Sequence, residues 1–370
     1  MKTKSKNTNN QKNTESSNNT TRKGVRRHLT KHHATYRYAW ITLAFIIIVG
    51  IIWFAFFRAQ NQVTRTSNQT GRAPESIVKS SLTGEKMNSI LAERPISGVV
   101  IENTPEARPQ SGLIDAGVVF EAMEEGGITR NLAFYQAGTP ELVGPIRSLR
   151  MHHIDWALGF DSTVAHVGGS SEALERARAT PAFRDLDQMK FSSSFFRSSD
   201  RYAPHNVYSR MKNLRELGVE QGFNKSNFKS IKRQDKPKDI TPSVTTIDIP
   251  FSSKLYSVQY RYEPVTNSYR RYLAGNPHKD RESDKHISPD VVVVLKTGFS
   301  RDVHGHSMYR TTAGGEALIF QNGQQQQVTW SKTSSTNQFI FTNSEGKETG
   351  LNPGQTWIEV IPDDMRVNAT

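Results

Sequence analysis

Hydrophobic and polar positions divide the chain into three regimes. Residues 1–38 are polar throughout and carry no apolar period. Ala39–Phe57 (AWITLAFIIIVGIIWFAFF) is then an unbroken apolar run of 19 residues without a charge. At roughly 1.5 Å per helical residue such a run nearly spans a ~30 Å hydrocarbon core, so it predicts one transmembrane helix. Trp40 and Trp53, with Tyr36 and Tyr38, sit near its ends as interfacial anchors do. Polar sequence returns over 58–81, and from about Leu82 short apolar segments alternate with Gly, Pro and Asn.

Those segments predict the folded part. ISGVVI (96–101), GVVFEAMEEGG (117–127), TRNLAFYQA (129–137) and STVAHV (162–167) read as strands. ENTPEARPQSGLIDA, with two prolines, reads as an ordered loop. After Pro145 a helix is expected from a Ser148 cap to about Leu158, stopped by Gly159. GGSSEALERARA predicts a glycine turn opening a second helix capped by Ser170 or Ser171. The polar, basic stretch 224–239 reads as a boundary, and the chain beyond it is rich in strand signals. YSVQYRYEPVTNSYRRYLAG predicts a hairpin, DVVVVLKTG a buried strand, and QNGQ and SEGK tight turns. The expected organisation is a 1–38 tail, a 39–57 span, a 58–81 linker, an 82–223 domain with a mixed sheet and helices, a 224–239 connector and a β-rich 240–365 domain. The fold class is α+β.

Charge fixes the reading of the tail. The chain is +13 overall. Residues 1–38 hold ten Lys/Arg and one acid, 10 − 1 = +9, leaving +13 − 9 = +4 for the rest. A basic tail before an apolar span puts the N-terminus in the cytoplasm and the remainder outside. The surplus charge is thus explained by topology and anionic lipid rather than by nucleic acid, which is not expected as a partner. The run is long and lacks a small-x-small cleavage site, so it reads as an uncleaved signal anchor. With no cysteine, disulfides, thiolate chemistry and a lipid-modified cysteine are excluded.

The candidate chemistry gathers in a few motifs. A strand over 118–125 places Glu121 and Glu125 on one face with Met123, and Glu124 on the other. That separates the nearest carboxylates, so ion pairing of Glu121 or Glu124 with Arg130, Arg147 or Arg150 is favoured over paired-carboxylate catalysis. In GPIRSLR, Arg147 and Arg150 would lie at a helix start that disfavours cations, which calls for an acidic partner or an anionic ligand. In AHVGGSS, His166 ends a strand, Gly168 and Gly169 permit close backbone approach, and Ser170 caps a helix or, less simply, serves as a nucleophile with His166 or His205 as base. RYAPHN sets Arg201, His205 and Asn206 around a proline turn. His152 and His153 are expected on the surface. The alternate histidines His304 and His306 lack a placed third ligand, so no metal and no cofactor is expected.

Several of these stretches resemble a known family in order. RPISGVVIENTPEARPQSGLIDAGVVFEAMEEGGITRNLAFYQ, GPIRSLR, HVGGSSEAL and RYAPHNVY, then YRRYLAGNPHKDRESDKHISPDVVVV, GGEALIFQNGQ and LNPGQTWIEVIP, are similar to the signature segments of the YerB-like family over roughly 82–363. The resemblance implies a bacterial extracytoplasmic protein in two α+β subdomains, and it carries no activity. The expected function is a membrane-anchored binding or regulatory module of the cell envelope, its ligand an anionic wall polymer or a partner protein. A wall glycan or peptide hydrolase and a structural tether are the alternatives.

Overall fold

The computed structural model describes residues 40–58 except 42, then 76–237 and 241–370. The chain forms two units, 1–74 and 75–370. In the first, residues 43–58 are helical with exposed side chains. Among the described residues no helix is long and apolar enough to cross a membrane; the expected span begins at residue 39 and includes residue 42, both outside them.

The second unit is built on one ten-stranded mixed sheet. In chain order its strands are β1 (Ser97–Glu102), β2 (Val118–Met123), β3 (Thr129–Tyr135), β4 (Thr163–His166), β5 (Arg184–Asp187), β6 (Val291–Thr297), β7 (Ala313–Gln321), β8 (Gln324–Lys332), β9 (Ile340–Thr342) and β10 (Thr356–Pro362). Their spatial order is β9-β8-β7-β6-β10-β2-β3-β1-β4-β5. The seam β6-β10-β2 is parallel, with Val118 opposite Thr356 and Glu121 opposite Glu359. Strands covered on both faces need near-continuous apolar sequence, which is what VVVVL in β6 and WIEVI in β10 supply.

Helices α1 (Met151–Leu158) and α2 (Ser171–Ala179) lie on one face, where Phe120, Phe134, Trp156, Val164 and Ile358 share a core. On the other face, a five-stranded antiparallel sheet and α3 (Met211–Glu220) pack against Val119, Tyr135, Val292 and Trp357. The predicted hairpin is present as Ser257–Glu263 against Ser268–Leu273. The Asn322-Gly323 turn joins β7 to β8 with positive φ at both residues, the backbone that an Asn-Gly pair accepts most readily.

Two expectations take a different form. The halves on either side of 224–239 share the ten-stranded sheet, while the five-stranded sheet is built from the second half alone. Residues 224–237 are strapped to the body: Ile231 is buried, and Arg233 donates to Leu82 O, Asn352 O and Thr356 Oγ1. The helix after GPIRSLR starts at Met151, with Arg150 rather than Ser148 as its N-cap, and Gly159 ends it as expected. The segment before it is extended because its backbone is already engaged. Arg147 N–H donates to Val100 O, Ile146 N–H to Val207 O and Leu149 N–H to Gly168 O.

Candidate functional site

The end of β2 sends its two glutamates to opposite faces, as strand alternation requires. Neither meets the expected arginine. Glu121 is fully buried against the five-stranded sheet, where it pairs with Arg271. It also accepts from Asn103 Nδ2 at 3.0 Å and Thr129 Oγ1 at 2.6 Å. Arg271 stacks on Trp357, 4.2 Å from the ring centre, and donates to Tyr260 Oη and toward His278. Glu359, opposite Glu121 on β10, shares this site. Burial and then the Glu121 charge push its carboxyl well above the usual range, so the two glutamates present one charge to one guanidinium.

Glu124 lies on the helix face, in contact with His152 Nε2 at 3.0 Å and His153 Nε2 at 3.3 Å. Burial would raise its carboxyl, but the two histidines hold it well below the usual range. Both histidines are buried, contrary to the surface position expected of them, because α1 buries every residue but Met151. His153 has a second duty: the Arg150 backbone N–H donates to its Nδ1 at 3.1 Å, closing a capping box in which His stands where Glu or Gln is usual. Burial and then His152 push His153 down to about 3, leaving it neutral. Two histidines and a carboxylate invite comparison with a metal centre. The donor set does not fit one. Nδ1 of His153 accepts a backbone hydrogen bond, so its proton sits on Nε2, the nitrogen facing Glu124, and no lone pair is left there for a cation.

The arginines are distributed around this core. Arg130 is buried and donates to Ser148 O at 3.1 Å. Arg150 makes a bidentate pair with Glu125, both contacts 2.7 Å. Arg147 faces Glu102, the last residue of β1, at 3.1 Å; its Nε–H is not aligned for a hydrogen bond, so the contact is a charge pair. The same Glu102 oxygen accepts from His205 Nδ1 at 2.9 Å and Thr104 Oγ1 at 3.3 Å. Glu102 itself is 1% exposed.

His205 lines an open cleft of ≈ 440 Å³ together with Glu106, Arg108, Arg201, Tyr202 and Arg281. Arg201 donates to Glu106 O and to Pro109 O. Arg108 donates to Asn103 Oδ1 and O and to Leu255 O, and stacks on Tyr256. Neither guanidinium meets a carboxylate among the described residues. Tyr202 projects into solvent, 92% exposed. Asn206 is buried as a support of the proline turn: it accepts from Arg197 and donates to Ser198 O and Arg201 O.

AHVGGSS closes on itself. His166 is buried with Nε2 2.7 Å from Asp185 and Nδ1 2.8 Å from Gly168 O. Asp185 is held at about 2: burial opposes ionisation, but hydrogen bonds from His166 and Lys190 outweigh it. The backbone that approaches Gly169 is the chain's own, since a Cβ there would lie 3.0 Å from Leu149 O. Ser170 N–H is taken by Leu149 O, and the Ser170 hydroxyl accepts from Ala173 N–H. Ser170 is therefore a helix cap with no base beside it, and this turn offers neither a nucleophile nor an anion cradle.

The structure thus splits the candidate residues of these motifs. His205 and Arg201 share the cleft with Arg147 behind them through Glu102, whereas Glu121, Glu124, Arg130 and His166 are interior. Sequence reasoning missed Glu102, Asn103 and Arg108, although all three lie in the stretch ENTPEAR that was read only as a loop. The signal was there in two polar residues set directly at the end of an apolar strand. Residues 82–224 and 247–358 match family models described as the N-terminal and C-terminal domains of a protein of unknown function (DUF3048).

The chain belongs to the DUF3048 family.

The resemblance read from the motifs is borne out by a Bacillus subtilis (strain 168) relative named "Putative lipoprotein YerB", 32% identical over 292 residues, 77% of this chain and 87% of that protein. The crystal structure of Bacillus subtilis YerB matches with a TM-score of 0.71 at 28% identity, covering 79% of this chain and 99% of the other. Within the DUF3048 frame, the boundary between the two family segments falls at 225–246, while the fold runs one sheet through both.

Proposed function

We propose that this protein is a membrane-anchored, extracytoplasmic binding protein of the bacterial envelope whose cleft at Arg108, Arg201 and His205 holds an anionic wall polymer. The observation that carries the reading is the way the two arginines are held. Each is fixed by carbonyl oxygens, so its position is set, and neither forms a contact ion pair with a described carboxylate. A positioned guanidinium open to solvent is a donor fork for phosphate or carboxylate. Tyr202 adds an exposed ring on which a sugar can stack. The lipoprotein name of the relative supports an envelope location. A lipid on cysteine has no attachment point in this chain, and the apolar run 39–57 replaces it as the anchor.

The test is binding of purified poly(glycerol phosphate) to the full chain in detergent, against a neutral glycan of similar length. Salt-sensitive binding to the polyanion, lost in Arg201→Ala and Arg108→Ala, is expected. Equal binding to both polymers defeats the reading. A hydrolytic role is the second reading, and Glu102–His205 is the feature that favours it. The carboxylate holds Nδ1–H, while Nε2 makes no hydrogen bond among the described residues and His205 lines the cleft. Shortening of the polymer on incubation, abolished by His205→Ala, would replace binding with catalysis.

A further inference from the structure

We propose a divalent transition-metal site of the zinc class, formed by Asp302, His304 and His306 of one hairpin with Glu172 of α2. The sequence offered two alternate histidines and no third ligand. The fold supplies two more from different places. Asp302 lies four residues before His306, and Glu172 stands in the first turn of α2, about 130 residues away in sequence. The hairpin pairs Phe299–Arg301 with Ser307–Tyr309, and its loop Asp302–His306 reaches the start of the helix.

The distances have the scale that coordination needs. His306 Nδ1 is 3.0 Å from Asp302 Oδ2 and 3.6 Å from Glu172 Oε2, and His304 Nε2 is 3.8 Å from Glu172 Oε1. Ligands ~2.0–2.2 Å from a tetrahedral zinc lie about 3.3–3.6 Å from one another. Glu172, Asp302 and His306 hold their ligand atoms within 4.8 Å of one another, so a cation among these three needs only small shifts, and the exposed ring of His304, paired with Glu172 alone among the described residues, turns inward to complete the set. The loop is also set in advance. Asp302 Oδ1 accepts the backbone N–H of His304 and of His306, both at 2.9 Å, which leaves Oδ2 to face the imidazole. Gly305 takes a left-handed φ of 81°, which lets the chain reverse between the two histidines. Arg301 donates to Gly305 O at 2.9 Å and braces the loop from outside. Glu172 Oε2 is inaccessible to solvent and has no hydrogen-bond partner among the described residues, although the side chain is 40% exposed, and it faces His306 Nδ1 at 3.6 Å.

Glu124–His152–His153 differs in the atom that decides. There a backbone N–H consumes the histidine lone pair. Here both histidines of the hairpin use backbone N–H groups to hold the loop, and His306 Nδ1 faces only carboxylate oxygens, so the rings stay available to a cation. Two imidazoles with two carboxylates suit zinc and its neighbours rather than calcium or magnesium, which take oxygen alone. A bound ion would join the hairpin to α2. Through Tyr309, whose hydroxyl donates to Met123 O, it would also bear on the end of β2.

The experiment is zinc titration of the chelator-stripped full chain in detergent, followed by calorimetry and by the visible absorption of a cobalt(II)-loaded sample. His28, His32 and His33 of the tail are further potential ligands, so the readout is the difference between wild type and variants. Wild type should take up one more equivalent of zinc than the His304→Ala/His306→Ala double variant. Its cobalt complex should show the intense bands of tetrahedral coordination, absent from that variant. Glu172→Gln, a change on the helix that leaves the hairpin intact, should weaken binding at least ~10-fold and serves if the double variant fails to fold. Zinc should raise the melting temperature of wild type and leave the variants unmoved. Equal zinc stoichiometry and affinity in wild type, double variant and Glu172→Gln would overturn the site.

Discussion

Arg271 and Arg201 are the same side chain in opposite circumstances. Arg271 is fully buried between two sheets, ringed by Glu121, Glu359, Tyr260 and Trp357. Arg201 lies at an open cleft and is held only by carbonyl oxygens. The first guanidinium is spent on architecture: its charge is cancelled and its removal leaves the Glu121 carboxylate stranded. The second is positioned but uncancelled, which is the condition for meeting a ligand. Burial with a carboxylate, rather than the presence of arginine, separates scaffold from site here.

The largest expected effect breaks the architectural side. Arg271→Met should cost ~3–5 kcal/mol of unfolding free energy, because Glu121 and Glu359 would then face each other in the interior without a cation. Denaturant unfolding measures it, and a loss below about 1 kcal/mol would mean that the pair is not structural.

Next comes the protonation of the interior. His153 is neutral when folded, with a pKa of about 3, against about 6.5 in an unfolded chain. The unfolded state therefore binds more protons between these values, and the His153 contribution to stability falls as pH drops from about 6.5 toward about 3. The slope is at most about 1.4 kcal/mol per pH unit. His153→Gln keeps an acceptor for the Arg150 N–H and has no proton to gain. Its stability measured from pH 4 to 7 should lack that part of the wild-type slope; parallel curves would show that His153 titrates normally.

Arg147→Ala should have an intermediate effect of about 2 kcal/mol. Its partner Glu102 is buried, but the arginine side chain is 24% exposed, so the pair falls between surface and interior cases. His205 remains to compensate Glu102, and a double variant with His205→Ala should lose more than the sum of the singles.

The smallest stability effect belongs to the cleft. Arg201→Ala should change unfolding free energy by no more than about 1 kcal/mol while polyanion binding disappears. A large loss of stability with binding retained would move Arg201 to the architectural side and collapse the distinction.

Local features were legible in the sequence. Strand alternation correctly sent Glu121 and Glu124 to opposite faces, the Asn322-Gly323 turn marked its hairpin, and Ser170 and Gly159 end their helices as their chemistry suggests. Partner choice was not legible. Glu121 finds Arg271 across 150 residues, and nothing in the spacing of FEAMEEGGITR points there. The Ser148 cap failed for a related reason, because the backbone it would begin to coil is hydrogen-bonded to β1 and to the glycine turn. His152 and His153 were read by their polarity, but α1 is covered on more than its sheet-facing side, with Tyr309 packed on His152, and Glu124 is what makes that burial tolerable. In the cleft, Arg201 and His205 were visible as a proline-turn motif, whereas the strand end that completes it was concealed by its resemblance to an ordinary loop.

The parallel seam between β2 and β10 sets a timetable. Val118 and Thr356 are neighbours in the sheet but 356 − 118 = 238 residues apart in the chain. A ribosome adding ~5–20 residues each second takes roughly 12–48 s to cover that interval. Until β10 arrives, β2 presents an open edge of buried-type side chains, the kind of surface to which other chains adhere. The first half therefore waits for its last strand, and a chaperone has its longest opportunity in that interval.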